Sequence, residues 1–219
     1  MRLRMIIIIF KRLRVSDHAC IYLFLKNMLC KMTIHDEIIK EITKPNEQGK
    51  TILDDMISFP IRNIELEAYR RVVNPEGEFE KICPDIIVDV EYEGRNQLAI
   101  EVESDITWDF ASSLRQVKKY RRNQSIRFLD VKAIIPKDYE EYAPLYRNED
   151  IDVWTWQALS HWICYGCDTR QAVHLQRPRI VRRCENEEKH EHHLRLEFLS
   201  DVKIEVAKFE SNKVAHYLR

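Results

Sequence analysis

Residues 83–92 read C-P-D-I-I-V-D-V-E-Y, residues 97–104 read Q-L-A-I-E-V-E-S, and residues 114–120 read L-R-Q-V-K-K-Y. The first two segments alternate with a period of two, the pattern of half-buried strands. Even positions are apolar: Ile86, Val88 and Val90, then Leu98, Ile100 and Val102. Odd positions hold the acids: Asp85, Asp89 and Glu91, then Glu101 and Glu103. A short connection containing Gly94 predicts an antiparallel hairpin. If the apolar residues share one face, odd positions must pair with odd. That parity asks for a three-residue loop centred on Gly94, or a bulge. Asp85 then lies opposite or diagonal to Glu101 and Glu103.

Neighbouring strands are about 4.8 Å apart, and same-face residues on one strand about 6.7 Å. Three carboxylates so placed converge on one small hard cation, or repel and raise one another's pKa. Mg²⁺ suits such a site, because it takes a few carboxylates and keeps its waters. The plain alternative is that these acids form the solvated face of a two-sided hairpin. The next segment bears on the choice. On a helical wheel Phe110, Leu114 and Val117 share a stripe, which predicts a helix packed on the sheet. Ser113, Gln116 and Tyr120 lie along one flank, with Gln116 and Tyr120 adjacent at a spacing of four. Arg115, Lys118 and Arg122 fill the other flank.

This order of parts resembles the PD-(D/E)XK nuclease superfamily, over roughly residues 33–156. Pro84-Asp85 looks like its first signature and Glu101-Val102-Glu103 like its second. Residues 116–120, Q-V-K-K-Y, are similar to the Q-x-x-x-Y motif of RecB-like members. The resemblance implies a restriction-endonuclease-like α/β fold, a mixed sheet flanked by helices, and hydrolysis of DNA with Mg²⁺ or Mn²⁺. It implies Asp85 and Glu101 as metal ligands, helped by the backbone carbonyl of Val102. Gln116 and Tyr120 would orient the site or touch DNA. Glu103 departs from the pattern, since the family usually has lysine there. Some restriction endonucleases of this fold carry glutamate at that place, so the departure leaves catalysis open and the general base unassigned. Lys119, as a relocated lysine, falls opposite the apolar stripe and towards solvent. Relatives often place a further acid on the first helix, where Glu37 and Glu41 are the candidates, with Glu65 and Glu67 as strand rivals. The plain reading of each is a solvent-facing charge. Arg115, Lys118, Lys119 and Arg122 are the candidate nucleic-acid contacts. The expected partners are DNA and a second copy of the chain. The rival reading is a nuclease-like module without its lysine, serving DNA binding or assembly.

The chain has 219 residues with a net charge of −1, so any affinity for nucleic acid must come from local patches. A content of 45% hydrophobic and 32% charged residues fits a globular protein. Residues 1–31 are expected to be an upstream extension, with Met32 as the natural start; a membrane-touching amphipathic segment is the alternative. The run around Ile6 to Ile9 is too short to span a bilayer, so no stable membrane insertion is expected. Residues 32–157 form the predicted nuclease-like domain. Helices are predicted over 33–43 and 50–58, the second ending before Pro60. Strands are predicted over 63–73, 128–136 and 151–156, with a short helix or loop over 138–146. Gly49-Lys50-Thr51 lacks the upstream glycine and strand of a phosphate-binding loop.

Residues 158–219 change character. Cys164 and Cys167 have C-x-x-C spacing, Cys184 follows, then His190, His192 and His193. Cys164, Cys167, Cys184 and His190 permit a Cys3His zinc site in a ribbon with strands over 172–183 and 193–199. Other readings are unrelated cysteines beside a histidine loop, an iron–sulfur cluster, or a redox or metal-carrier role. Reduced cysteines fit a cytoplasmic protein. Arg177, Arg179, Arg182 and Arg183 make a second basic patch.

Overall fold

The computed structural model describes residues 33–92, 96–105, 110–123, 125–126, 128–179, 181, 183–186 and 194–208. The chain divides into two units, Met1–Thr33 and Ile34–Arg219; every element below belongs to the second. Residues 1–31, with their expected extension, lie outside the described residues.

The elements are α1 (Ile34–Thr43), α2 (Ile52–Met56), β1 (Ile61–Leu66), β2 (Arg70–Val73), β3 (Phe79–Ile82), β4 (Ile86–Val90), β5 (Gln97–Val102), α3 (Phe110–Arg122), β6 (Asp130–Pro136), a 3₁₀ turn (Lys137–Tyr142), α4 (Ala143–Arg147), β7 (Asp152–Cys164), β8 (Arg170–Leu175) and β9 (Leu194–Val206). Seven strands form one mixed sheet. β1, β4 and β5 run antiparallel in succession. β5, β6 and β7 then run parallel, joined by the α3 and α4 crossovers. β6 and then β8 line one edge of β7, while β9 follows the other edge. The result is an α/β fold whose sheet curls between helices.

Alternation in β4 and β5 decides what each face touches. Ile86 pairs with Ile100 and Val88 with Leu98, so even residues share a face and odd pairs with odd. The even face packs on Ile38 and Ile42 of α1, Trp154 and Trp156 of β7, and Leu199 and Ile204 of β9. The odd face also carries apolar residues, Ile87 and Ala99, beneath Val117 and Tyr120 of α3. Both faces are therefore covered, and the acids emerge only where the strands end. α1 is held by this packing: Ile38 and Ile42 are fully buried, each contributing about 1.5–3 kcal/mol. Asp36 and Glu37 in its first turn and Lys40 in its last suit the helix dipole. Ile42→Ala would remove one side chain from this contact at about 2–5 kcal/mol.

Four expectations need correction. The hairpin ladder closes where Val90 N–H donates to the Asn96 carbonyl at 2.7 Å, so the connection spans 91–95, longer than three residues; Gly94 lies outside the described residues. The strand expected over 63–73 is two. The chain breaks at Glu67, whose φ is +46°, and β2 turns back on β3 as a separate hairpin. Its turn needs Gly77, at φ +84°, and the Asn74 side chain accepts the Glu78 N–H at 2.7 Å. The strand expected to end at 156 runs on to Cys164 because alternation persists through Ala158, Ser160 and Trp162. The boundary expected at 157/158 thus falls inside β7, and β8 and β9 join the main sheet in place of a separate ribbon.

Candidate functional site

Asp85 stands at the mouth of β4. Its backbone carbonyl accepts the Glu67 N–H at 2.9 Å, which ties it to the break after β1. Its Oδ2 accepts the Val102 N–H at 2.8 Å and lies 3.2 Å from His35 Nε2. The hydrogen bond to Asp85 outweighs the burial of the ring, so the His35 pKa is pushed up to about 9. Residue parity carries Glu101 to the same face of the sheet as Asp85. Glu101 is only 5% exposed. Its Oε1 accepts the Gln116 amide, and its Oε2 lies 2.9 Å from the Tyr120 hydroxyl. Tyr120 has one proton to give; the Cys83 carbonyl lies further off, at 3.2 Å, and Gln116 donates to the same hydroxyl at 3.1 Å.

Glu103 follows the end of β5. Its backbone is fixed by a 2.7 Å bond from its N–H to the Ile134 carbonyl and by the Trp156 indole, which donates to its carbonyl at 2.9 Å. Ser113, which meets the Tyr146 hydroxyl at 2.6 Å, acts to lower the pKa of the Glu103 carboxyl. Burial pushes the Glu101 carboxyl well above the usual range; the charges of Asp85 and Glu103 push the same way, against the Tyr120 bond. Burial and the Asp85 charge likewise raise Glu103, opposed by Ser113 and His35. Tyr120 is raised by burial and by Glu101. These groups form a buried negative cluster that favours uptake of a proton or a cation.

Asp85, Glu101, Glu103, Gln116 and Tyr120 are thus brought together. Val102 enters through its N–H on Asp85, where the resemblance implied its carbonyl. Glu37 is fully buried, against the plain reading of a solvent-facing charge, and its carboxylate takes Lys40 Nζ at 3.2 and 3.4 Å. The α1 residue that meets Asp85 is His35, which the sequence reading missed. The signal was its place: His35 is four residues before Ile39 and so lies on the buried stripe. The basic flank is largely neutralised. Lys118 and Arg122 each reach Glu149 at 2.7 Å, and Lys119 reaches Glu80 at 3.2 Å. Among the described residues Arg115 has no carboxylate partner. Of the second patch, Arg177 meets Asp138 at 3.6 Å, and Arg182 lies outside the described residues.

A second cluster lies at the far end of β7. The sulfurs of Cys164, Cys167 and Cys184 all lie within 4.8 Å of one another. Among the described residues this is the one trio of Cys, His, Asp or Glu ligands gathered so closely; the acids are more widely spaced. The Asn186 N–H donates to Cys184 Sγ at 3.4 Å. Thr169 Oγ1 meets Cys167 Sγ at 2.9 Å, and with the Thr169 N–H it lowers that thiol's pKa to about 6. Such bonds steady thiolates. The three cysteines can chelate a metal; His190 lies outside the described residues.

Comparison with family models, with curated proteins and with solved structures finds no match. Among the described residues no helix is long and apolar enough to cross a membrane.

Proposed function

We propose that this chain is a metal-dependent nuclease of the PD-(D/E)XK kind, acting on DNA phosphodiesters. One observation carries the reading: the charges of Asp85 and Glu103 act on the buried Glu101 carboxyl, and the Gln116–Tyr120 pair grips Glu101. The element order, helix, three sheet strands, helix, parallel strand, agrees with it. Oxygen ligands and surplus negative charge fit Mg²⁺ or Mn²⁺, held by Asp85 and Glu101 with help from Glu103. When bound, such an ion makes a water more acidic and offsets charge on the leaving oxygen. The chain's own residues do the rest. Val102 N–H and His35 fix Asp85, Gln116 and Tyr120 fix both Glu101 oxygens, and Glu103 is the carboxylate placed to accept a proton. Cleavage of plasmid and oligonucleotides with Mg²⁺ or Mn²⁺, against EDTA, tests this. Asp85→Ala should abolish cleavage; full activity in a clean preparation would reject the assignment.

The second reading is a module that binds nucleic acid without cutting it. Three observations favour it: Glu103 replaces lysine, His35 already holds Asp85, and no acid trio among the described residues matches the spacing of the cysteines. Binding without cutting in the same assay selects it. In either case Cys164, Cys167 and Cys184 hold a structural zinc ion, with His190 as the expected fourth ligand. About one zinc per purified chain is the expected content.

A further inference from the structure

The three sulfurs at the end of β7 are unequal. Cys167 is exposed, whereas Cys164 and Cys184 are buried. Cys164 belongs to β7 and pairs with Leu194 of β9. Its N–H donates to the Thr169 carbonyl at 2.9 Å, and its carbonyl accepts the Asp168 N–H at 2.8 Å. Strand and turn therefore both fix it. Cys167 lies in that turn and Cys184 in the chain that follows β8, so both sit outside the strands. Their sulfurs stand 3.6 Å apart. A disulfide is about 2.05 Å long, which leaves about 1.5 Å of approach for the two side chains to make.

Hydrogen bonds of the chain itself keep these two sulfurs together. The Gln171 side chain donates to the Arg183 carbonyl at 3.0 Å and accepts the Glu185 N–H at 3.3 Å. Asn186 Nδ2 donates to Thr169 Oγ1 at 2.8 Å. These bonds fold the segment after β8 back on β8 and its turn, and so bring Cys184 to Cys167. The two cysteines are 17 residues apart and bracket the whole of β8. A link between them closes a loop of that length, and such a link stabilises chiefly by restricting the unfolded chain. A zinc ion on the same sulfurs ties the same segments together. A sulfur in a disulfide is no longer a thiolate ligand, so the link would leave zinc only Cys164 of the three. The cluster thus has two ways of holding one fold, with metal and reduced sulfurs, or with an oxidised pair and no metal.

We propose that Cys167 and Cys184 are a redox pair: a hydroperoxide oxidises the exposed Cys167, Cys184 closes the disulfide, and the zinc ion leaves while the fold is kept. The release of zinc rests on the zinc reading above; the disulfide does not. The Cys167 sulfur attacks a peroxide oxygen, the O–O bond breaks, and the thiol proton goes to the departing oxygen, which leaves as water or an alcohol. Cys167 is then a sulfenic acid. The Cys184 sulfur attacks that sulfur, the S–S bond forms, and the Cys184 proton leaves with the hydroxyl as water. Two electrons pass from the pair to one peroxide, and Cys164 stays reduced. The test is titration of the full chain with hydrogen peroxide, both with its zinc and after chelation. The readouts are non-reducing peptide mapping by mass spectrometry, zinc released to a chromogenic chelator, and thermal melts. The Cys167–Cys184 cross-linked peptide should form in both samples and vanish with dithiothreitol. In the zinc sample one ion should leave per cross-link. The oxidised chain should melt about 5–10 °C above the reduced, zinc-free chain. Cys164→Ser should keep the cross-link. Cys184→Ser should lose it and let Cys167 go on to the sulfinic acid. A cross-link through Cys164 in the wild type, sulfinic acid at Cys167 without a cross-link, or an oxidised chain that melts with the reduced, zinc-free one overturns the redox pair. A chain purified without zinc that still forms the cross-link ends the zinc reading and upholds the pair; a zinc-bearing chain that forms none does the reverse.

Discussion

The acid cluster and the cysteine cluster occupy two regions of one sheet. Trp156 touches Glu103, and Cys164 lies eight residues further along β7, about 26 Å at the usual strand rise. At the first, Asp85 and Glu101 are wrapped by donors from His35, Val102, Gln116 and Tyr120, yet burial and mutual repulsion still work against ionising Glu101. At the second, three sulfurs crowd together with two polar neighbours, Thr169 and Asn186, and tie together segments twenty residues apart. Burial and repulsion at the first work against the charged form; at the second, a bound metal would add to stability. A site of the first kind suits chemistry and one of the second suits structure.

The sharpest way to break this contrast is to remove one acid. Asp85→Ala or Glu101→Ala should lower Mg²⁺-dependent cleavage by about 10³-fold or more, with zinc content unchanged by metal analysis. A loss of zinc alongside would mean that the two regions fold as one unit. The converse change comes next. Cys167→Ser or Cys184→Ser should abolish zinc binding and lower Tm by about 10 °C, because structural metal binding is folding free energy. Cleavage per folded molecule should stay within a few-fold, measured below the new Tm. A collapse of activity at that temperature would make the cysteines part of the reaction.

The two regions were unequally legible in the sequence. The odd-even alternation of β4 and β5 told which side chains share a face, since strand geometry leaves no other choice. It therefore brought Asp85 and Glu101 together correctly, and the spacing of Gln116 and Tyr120 placed both on one flank of α3. His35 was hidden because its meeting with Asp85 crosses fifty residues, and only its position on the buried stripe hinted at it. Glu37 stayed ambiguous because an acid near a metal and an acid paired with the lysine three residues on look alike in sequence. The cysteines were legible as ligands but not as part of the sheet. The cysteine spacing suggests a change of domain at 158, whereas the alternation runs on to Cys164. The β2–β3 hairpin was missed because Glu67 breaks the strand through its backbone angle, a position with no glycine to mark it. The N-P-E-G run over residues 74–77 is the sequence signal of the turn.

A neutral isostere sharpens the contrast further. Glu101→Gln keeps the shape of the pocket and removes one of its charges. It should raise the Tm of the metal-free protein at pH 8 by about 3 °C, the equivalent of about 1 kcal/mol in a chain of this size, while cleavage is lost. The pH dependence follows the same logic. Glu101 and Glu103 hold protons more tightly folded than unfolded, so the wild type should lose stability as pH rises from about 4.5 through their raised folded values. His35 acts with the same sign over a different window. Its stabilising contact with Asp85 is complete below about 6.5 and is lost as pH rises through about 9. Thermal melts across pH 4–9 without added Mg²⁺ or Mn²⁺ should fall along both limbs, and Glu101→Gln should flatten the first and spare the second. A flat profile in the wild type would remove the claim that this region is held under electrostatic load.

The smallest change tests whether the α3 flank serves the site or only fills space. Tyr120→Phe deletes the hydroxyl that lies 2.9 Å from Glu101 Oε2 and leaves the buried ring. A lost hydrogen bond of this kind costs about 1 kcal/mol, and cleavage should fall only several-fold. The informative quantity is the acid limb of the pH–rate profile. The Tyr120 bond works against the burial that raises the Glu101 pKa, so deleting it should let Glu101 hold its proton to higher pH. The acid limb should therefore move upward in Tyr120→Phe through Glu101, and Ser113→Ala, which removes the group that lowers Glu103, should move it upward by a different amount through the proposed proton acceptor. If both variants shift the limb equally, the two carboxyls titrate as one unit. If neither does, the glutamine–tyrosine flank acts on packing alone.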